Sequence, residues 1–186
     1  MRALTLVLTM LALQACASAR VDPERARQAD ERAVYRVVID SLFVHPGVSV
    51  LVLMDSTQVH EPGNVVPGFE AVIADMHAKS RTPVLLPTDL RASVPILWFT
   101  AAQRQEDYST IGDVWERFYA RYPGARGASG GFHYLSRVGF DAERRRAAVQ
   151  TGTQCHYLCG HGNVVVLKRS PEGRWRIVGM APTWVS

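Results

Sequence analysis

The chain has 186 residues, 47% of them apolar and 20% charged, with 21 Lys+Arg against 17 Asp+Glu for a net charge of +4. That is ordinary globular composition; it excludes a disordered or collagen-like chain, and the length suits one domain rather than two. Past the N-terminus no apolar run reaches the roughly 18 residues of a spanning helix, which excludes a multi-span membrane protein.

Residues 1–15 have the form of an export signal. Arg2 supplies a positive n-region, and the run from Ala3 to Ala12 is apolar but too short to span a bilayer. Leu13-Gln14-Ala15-Cys16 then resembles the lipobox of bacterial lipoproteins, in which a Leu three positions before Cys directs cleavage and lipidation. The resemblance implies cleavage before Cys16, lipid attachment at Cys16, and a tether over 16–21. The small-x-small stretch Ala17-Ser18-Ala19 offers a competing cleavage after Ala19 that would release a periplasmic or secreted protein. Ala17, rather than Asp, after the lipidated Cys favours the outer membrane. Either cleavage leaves Cys155 and Cys159 as an even pair.

The rest, 22–186, reads as a single α+β domain. Asp22-Pro23-Glu24 is a helix start, with an N-cap acceptor, Pro at the first position and an acid facing the dipole. The helix ends at His45-Pro46-Gly47. Ser49 to Met54 is an apolar run suited to a buried strand, and 55–67 reads as a loop. Phe69, Val72, Ile73 and Met76 predict a short helix. Pro83, Pro87 and Pro95 break the next stretch into irregular pieces, before a strand at Ile96–Phe99. From Thr110, the residues Ile111, Val114, Trp115, Phe118, Tyr119 and Tyr122 form one helical stripe, read as core, which Pro123-Gly124 stops. The last third predicts an antiparallel meander with strands at 132–140, 147–154, 163–169 and 175–184, and with Phe132, Tyr134, Val138 and Phe140 on one face. Ser170-Pro171-Glu172-Gly173 has the chemistry of a type I turn. The fold class expected is therefore α+β, an N-terminal helix and mixed elements followed by a β-meander with a helix packed on the sheet.

Candidate chemistry centres on Cys155-His156-Tyr157-Leu158-Cys159-Gly160-His161-Gly162. An exported chain favours a disulfide between Cys155 and Cys159, with His156 and His161 pointing to solvent. The alternatives are a metal site of Cys155, Cys159, His161 and His156, or His133, and a redox dithiol whose three intervening residues depart from the two of thioredoxin-like motifs. Gly127-Ala128-Ser129-Gly130-Gly131 matches G-x-S-x-G, but a helix precedes Ser129 and a strand comes after it, the reverse of a nucleophile elbow. His60-Glu61 and Glu106-Asp107 read as loop residues; either could serve as an acid/base pair but has no assignable partner, and adjacent acids in loops are usually just solvated. Arg144-Arg145-Arg146, after Asp141 and Glu143, reads as a solvated turn, its sharper reading being a patch for phosphate or anionic lipid. No aromatic platform interleaves with the cations, so nucleic acid is not an expected partner.

Ser136-Arg137-Val138-Gly139-Phe140, Cys155-x3-Cys159-Gly160-x-Gly162, Gly173-x-Trp175 and the terminal Trp184-Val185-Ser186 resemble small uncharacterised bacterial exported proteins. That likeness implies architecture for the Gly and Trp positions and brings no activity or catalytic residue. The functional expectation is an envelope lipoprotein that acts as a non-enzymatic binding or structural module without a cofactor. Its expected partners are the membrane, through the anchor, and an envelope protein or small-molecule ligand. The alternatives are a secreted hydrolase or metal-dependent enzyme centred on the Cys/His turn, and an envelope redox protein.

Overall fold

A computed structural model describes residues 22–58, 65–127 and 130–186. The chain divides into two compact units, Met1–Asp30 and Glu31–Ser186. In the first, the described residues open helix α1 (Pro23–Val38). There Asp22 Oδ1 accepts the Glu24 N–H at 3.0 Å, the capping role its sequence announced.

The second unit carries the whole sheet. Strand β1 (Leu51–Met54) is buried on both faces, which is what an uninterrupted apolar run of β-formers requires when layers cover both sides. It pairs in parallel with β2 (Ile96–Phe99), Leu51 opposite Ile96, and in parallel with β3 (Phe132–Leu135), Val52 opposite Phe132. Antiparallel pairing takes over from there. β3 and the short β4 (Gly139–Phe140) both lie against β5 (Arg146–His156). β5 pairs with β6 (Cys159–Arg169), and β6 with β7 (Trp175–Val185). The strand order is β2-β1-β3-β5-β6-β7, with β4 beside β5. The α+β class and the C-terminal meander are as expected; the parallel β2-β1-β3 half is not part of the expectation.

Alternation along each strand sends side chains to two cores. One face buries Leu51, Leu53, Leu135, Val149, Val165, Leu167 and Trp175 under Val34, Tyr35 and Val38 of α1, with Ile39 and Phe43 of the π turn that continues it, and under Leu86 and Leu90. The other face is covered by two helices. α2 (Glu70–Ser80) lays Val72, Ile73 and Met76 on Ala148, Val164 and Val166. α4 (Val114–Arg121) lays Trp115 and Phe118 on Val52, Met54, Phe132 and Tyr134. Among the described residues no helix is long and apolar enough to cross a membrane.

Several boundaries move. The stripe from Thr110 starts later, because Asp113 is the cap that accepts the Trp115 N–H at 2.7 Å; Ile111, ahead of it, is fully exposed. Thr110 instead closes a separate helix, α3 (Ala101–Ser109), absent from the sequence expectation. The run 132–140 breaks at Ser136, whose Oγ accepts the Gln150 N–H at 2.8 Å. The break resets the alternation: Phe132 and Tyr134 face α4, whereas Val138 and Phe140 join the opposite core. Their expected placement on one face is therefore corrected.

Candidate functional site

Beyond the C-terminal end of β1 the chain passes beside the end of β3, while β2 runs on through Thr100 into the helix at Ala101–Ser109. A cleft of about 400 Å³ lies there, lined by Met54, Gln58, Ala101, Arg104, Gln105, Tyr108, Phe132, Tyr134 and Gln154.

Each lining group has a structural reason for its position. Met54, Phe132 and Tyr134 are inward positions of β1 and β3, each no more than 5% exposed, and make an apolar floor. Gln154 sits opposite Phe132 on β5. Gln58 is fixed by its backbone N–H, which donates to the Leu135 carbonyl at 2.8 Å. The wall is α3. Its start is held by a reciprocal capping box: the Gln103 N–H donates to Thr100 Oγ1 at 3.2 Å and the Thr100 N–H to Gln103 Oε1 at 2.8 Å. The Arg104 guanidinium lies 3.5 Å from Met54 Sδ, and no carboxylate lies within ion-pair distance of it among the described residues.

Tyr134 closes the floor. Burial pushes its phenol far above the ordinary range, a shift partly offset by the Trp184 Nε1–H donating to its oxygen at 2.6 Å. The hydroxyl therefore stays neutral at any physiological pH. The cleft thus presents one cation, three carboxamides and two phenols around Met54 and Phe132, with no carboxylate lining it among the described residues. This donor-rich set on an apolar base suits recognition of a small ligand with an anionic or carbonyl edge.

The residues singled out by sequence fall elsewhere. Cys155 and Cys159 stand at disulfide distance, with Cα atoms 5.2 Å apart, inside the span such a bond needs. His156 and His161 are exposed; His156 lies 5.9 Å from the Trp115 ring, tilted by 25°. His133 is buried away from this turn, Nδ1 at 2.8 Å from Thr153 Oγ1 and its ring stacked 4.2 Å from Phe43. Among the described residues no three His, Cys, Asp or Glu side chains are grouped to hold a metal. Gly160 and Gly162 serve close approach: a Cβ on Gly162 would stand 2.1 Å from Trp184 Nε1, and one on Gly160 2.6 Å from the same indole.

Glu106 and Asp107 are joinery. Asp107 is fully buried and takes Arg121 Nη1 at 2.7 Å, while Glu106 takes Arg121 Nη2 at 3.0 Å. Arg117 also donates to the Asp107 carbonyl. Together they clamp α3 onto α4 and so hold the cleft wall. Cys16, His60, Glu61 and Ser129 lie outside the described residues.

Sequence reasoning did not pick out the cleft, because carboxamides carry no motif. One signal was present: Thr100-x-x-Gln103 is a capping-box pattern that announces α3. Comparison with family models, curated proteins and solved structures finds no match for the chain.

Proposed function

We propose that the protein is an exported lipoprotein, held at the outer membrane through Cys16, whose domain is a non-enzymatic binding module. The ligand class is a small molecule with an apolar body and an anionic edge. The observation that carries this is the placement of Arg104 beside Met54 at the edge of the Met54–Phe132–Tyr134 floor, with Gln58, Gln105 and Gln154 around it. A ring or alkyl body would cover the floor, and a carboxylate would take the guanidinium and the amide N–H groups. The leader and the Leu-x-Ala-Cys spacing supply the address.

Two measurements test the reading. Wild-type protein is expected in the membrane fraction and Cys16→Ala in the soluble fraction; a soluble wild type beginning at Arg20 would overturn the anchor. For the cleft, ligand-observed NMR with benzoate and benzyl alcohol is expected to show binding of the acid only. Arg104→Met should weaken benzoate about tenfold, the loss of one charge-assisted contact. Equal binding of both probes, or benzoate binding unchanged in Arg104→Met, would overturn the cleft reading.

A further inference from the structure

At the end of the sheet where β4 turns into β5, the register places three cations in one row. Arg146 on β5 lies opposite Lys168 on β6, and Lys168 lies opposite Arg176 on β7. Their neighbours Ala147, Leu167, Trp175 and Ile177 point into the α1-side core, so alternation sends all three to the same, α2-bearing face. Like charges directly opposite one another on paired strands repel, with Cβ atoms only about 4.5–5.5 Å apart. All three are exposed, and a row of this kind contributes nothing to folding.

Surrounding groups hold Arg146 and Lys168 in place, and Glu70 attracts Arg146 through space without an ion-pair contact. Phe69 receives both Arg146 and Lys168 over its ring, each 5.8 Å from the centroid. Arg146 Nη1 donates to the Gly68 carbonyl at 2.9 Å, which fixes its guanidinium at the entry to α2. The nearby acids are engaged with backbone. Asp141 Oδ1 accepts the Arg145 and Arg146 N–H groups at 2.7 and 3.0 Å, and Glu70 Oε1 accepts the Gly68 N–H at 2.9 Å. Lys168 and Arg176 have no carboxylate within 4 Å among the described residues. A groove of about 540 Å³ that includes Arg146 and Lys168 is lined also by Arg145, Arg169, Asp141 and Glu143, with Glu143 Oε2 3.8 Å from Arg145 Nη2.

We infer that this row is a phosphate-binding site: a phosphate group, free or in a lipid headgroup, bridges Arg146, Lys168 and Arg176 and supplies the counter-charge that Lys168 and Arg176 lack. A dianionic tetrahedral oxyanion has enough acceptor oxygens to meet a fixed guanidinium, an ammonium and a second guanidinium at once. The site lies at the opposite end of β5 from the Gln154 that lines the cleft, and it stands whether or not the cleft reading holds.

The test uses the full chain and a Lys168→Gln/Arg176→Gln variant, with Arg81→Gln/Arg91→Gln as a control that removes the same charge elsewhere. One arm titrates pyrophosphate calorimetrically at low salt. The other compares partition onto phosphatidylglycerol vesicles with partition onto phosphatidylcholine vesicles, a difference from which any contribution of the anchor cancels. Saturable pyrophosphate binding weakened at least about tenfold in the row variant only would establish a free-phosphate ligand. Vesicle enrichment lost in the row variant only would establish a headgroup. The row variant should melt no lower than wild type, because like-charge repulsion is relieved. Binding absent in both arms, binding reduced equally by the control, or a row variant that melts markedly lower would overturn the site.

Discussion

The Trp184 indole N–H donates to the Tyr134 hydroxyl at 2.6 Å, tying the last residues of the chain to the floor of the cleft. The contact exists because two residues lack side chains: a Cβ on Gly152 would fall 2.0 Å from Tyr134 Cζ, and one on Gly162 would fall inside the indole. Trp184→Phe keeps an aromatic ring but removes the N–H donor and the pyrrole half of the indole, so it should cost about 1–3 kcal/mol by removing the bond to a buried phenol and its packing. Gly162→Ala should cost at least about 1–3 kcal/mol by overpacking. Urea unfolding monitored by far-UV circular dichroism measures both, and a change below about 0.5 kcal/mol in each would mean the contact does not hold the floor.

Phe118 is the centre of the α4 core, 2% exposed and within 5.6 Å, centroid to centroid, of Phe99, Trp115, Tyr119, Tyr122 and Phe132. Truncating it to Ala should cost about 3–5 kcal/mol, a large part of a total stability of about 5–15. A loss below about 1 kcal/mol would place the stripe at a partner surface instead.

That stripe also shows what the sequence made legible. Val114, Trp115, Phe118 and Tyr122 recur at helical spacing and pack as their period requires, and β5 and β6 alternate as strands with one face in each core, while β7, at the sheet edge, leaves Val178 and Met180 exposed. Three features were not legible. The parallel pairing of β1 with β2 and β3 depends on which distant strand a fully apolar run meets, and periodicity carries no partner information. Helix α3 is almost wholly polar, so only its capping box marks it. The cleft joins Gln58, Arg104 and Gln154, residues far apart in sequence that share only their place at one sheet crevice.

The buried pair between Asp107 and Arg121 decides whether α3 stays on α4. Asp107 is fully buried while the Arg121 side chain is 26% exposed, so removing the cation strands a carboxylate in the core. Arg121→Met should cost about 3–5 kcal/mol. The double variant Arg121→Met/Asp107→Leu should recover much of that loss, because the unpaired charge is then gone. A double-mutant cycle that sums additively within about 0.5 kcal/mol would show the two side chains to be energetically independent.

Stability should fall on mild acidification through His77. Burial of this residue in α2 lowers its pKa below the ordinary 6.5. The folded state then binds fewer protons than the unfolded state between the lowered value and about 6.5, so stability rises with pH across that window and is lost as pH falls through it. His77→Gln should flatten the slope of unfolding free energy between about pH 7 and pH 5. An unchanged slope in the variant would assign the acid sensitivity to other groups.

The Cys155–Cys159 pair is the last test and joins the hairpin to the cleft. Gln154, which lines the cleft, immediately precedes Cys155, and the β5–β6 register shifts between Gln154 and His156. The Cys155 carbonyl accepts the Tyr119 hydroxyl at 2.6 Å, so the same turn is fastened to α4. Bonding two cysteines four residues apart removes little chain entropy, about 2 kcal/mol in the loop-closure model. Thiol counting on the unfolded, metal-free mature protein is therefore expected to find no free thiols, and Cys155→Ser/Cys159→Ser should be destabilised by about 2 kcal/mol yet remain folded. Because the tie sits next to Gln154, the same variant should also bind benzoate more weakly than wild type, through loss of preorganisation. Two free thiols with one equivalent of zinc in the native protein would replace the bond by a metal centre, and unaltered benzoate affinity would uncouple the turn from the cleft.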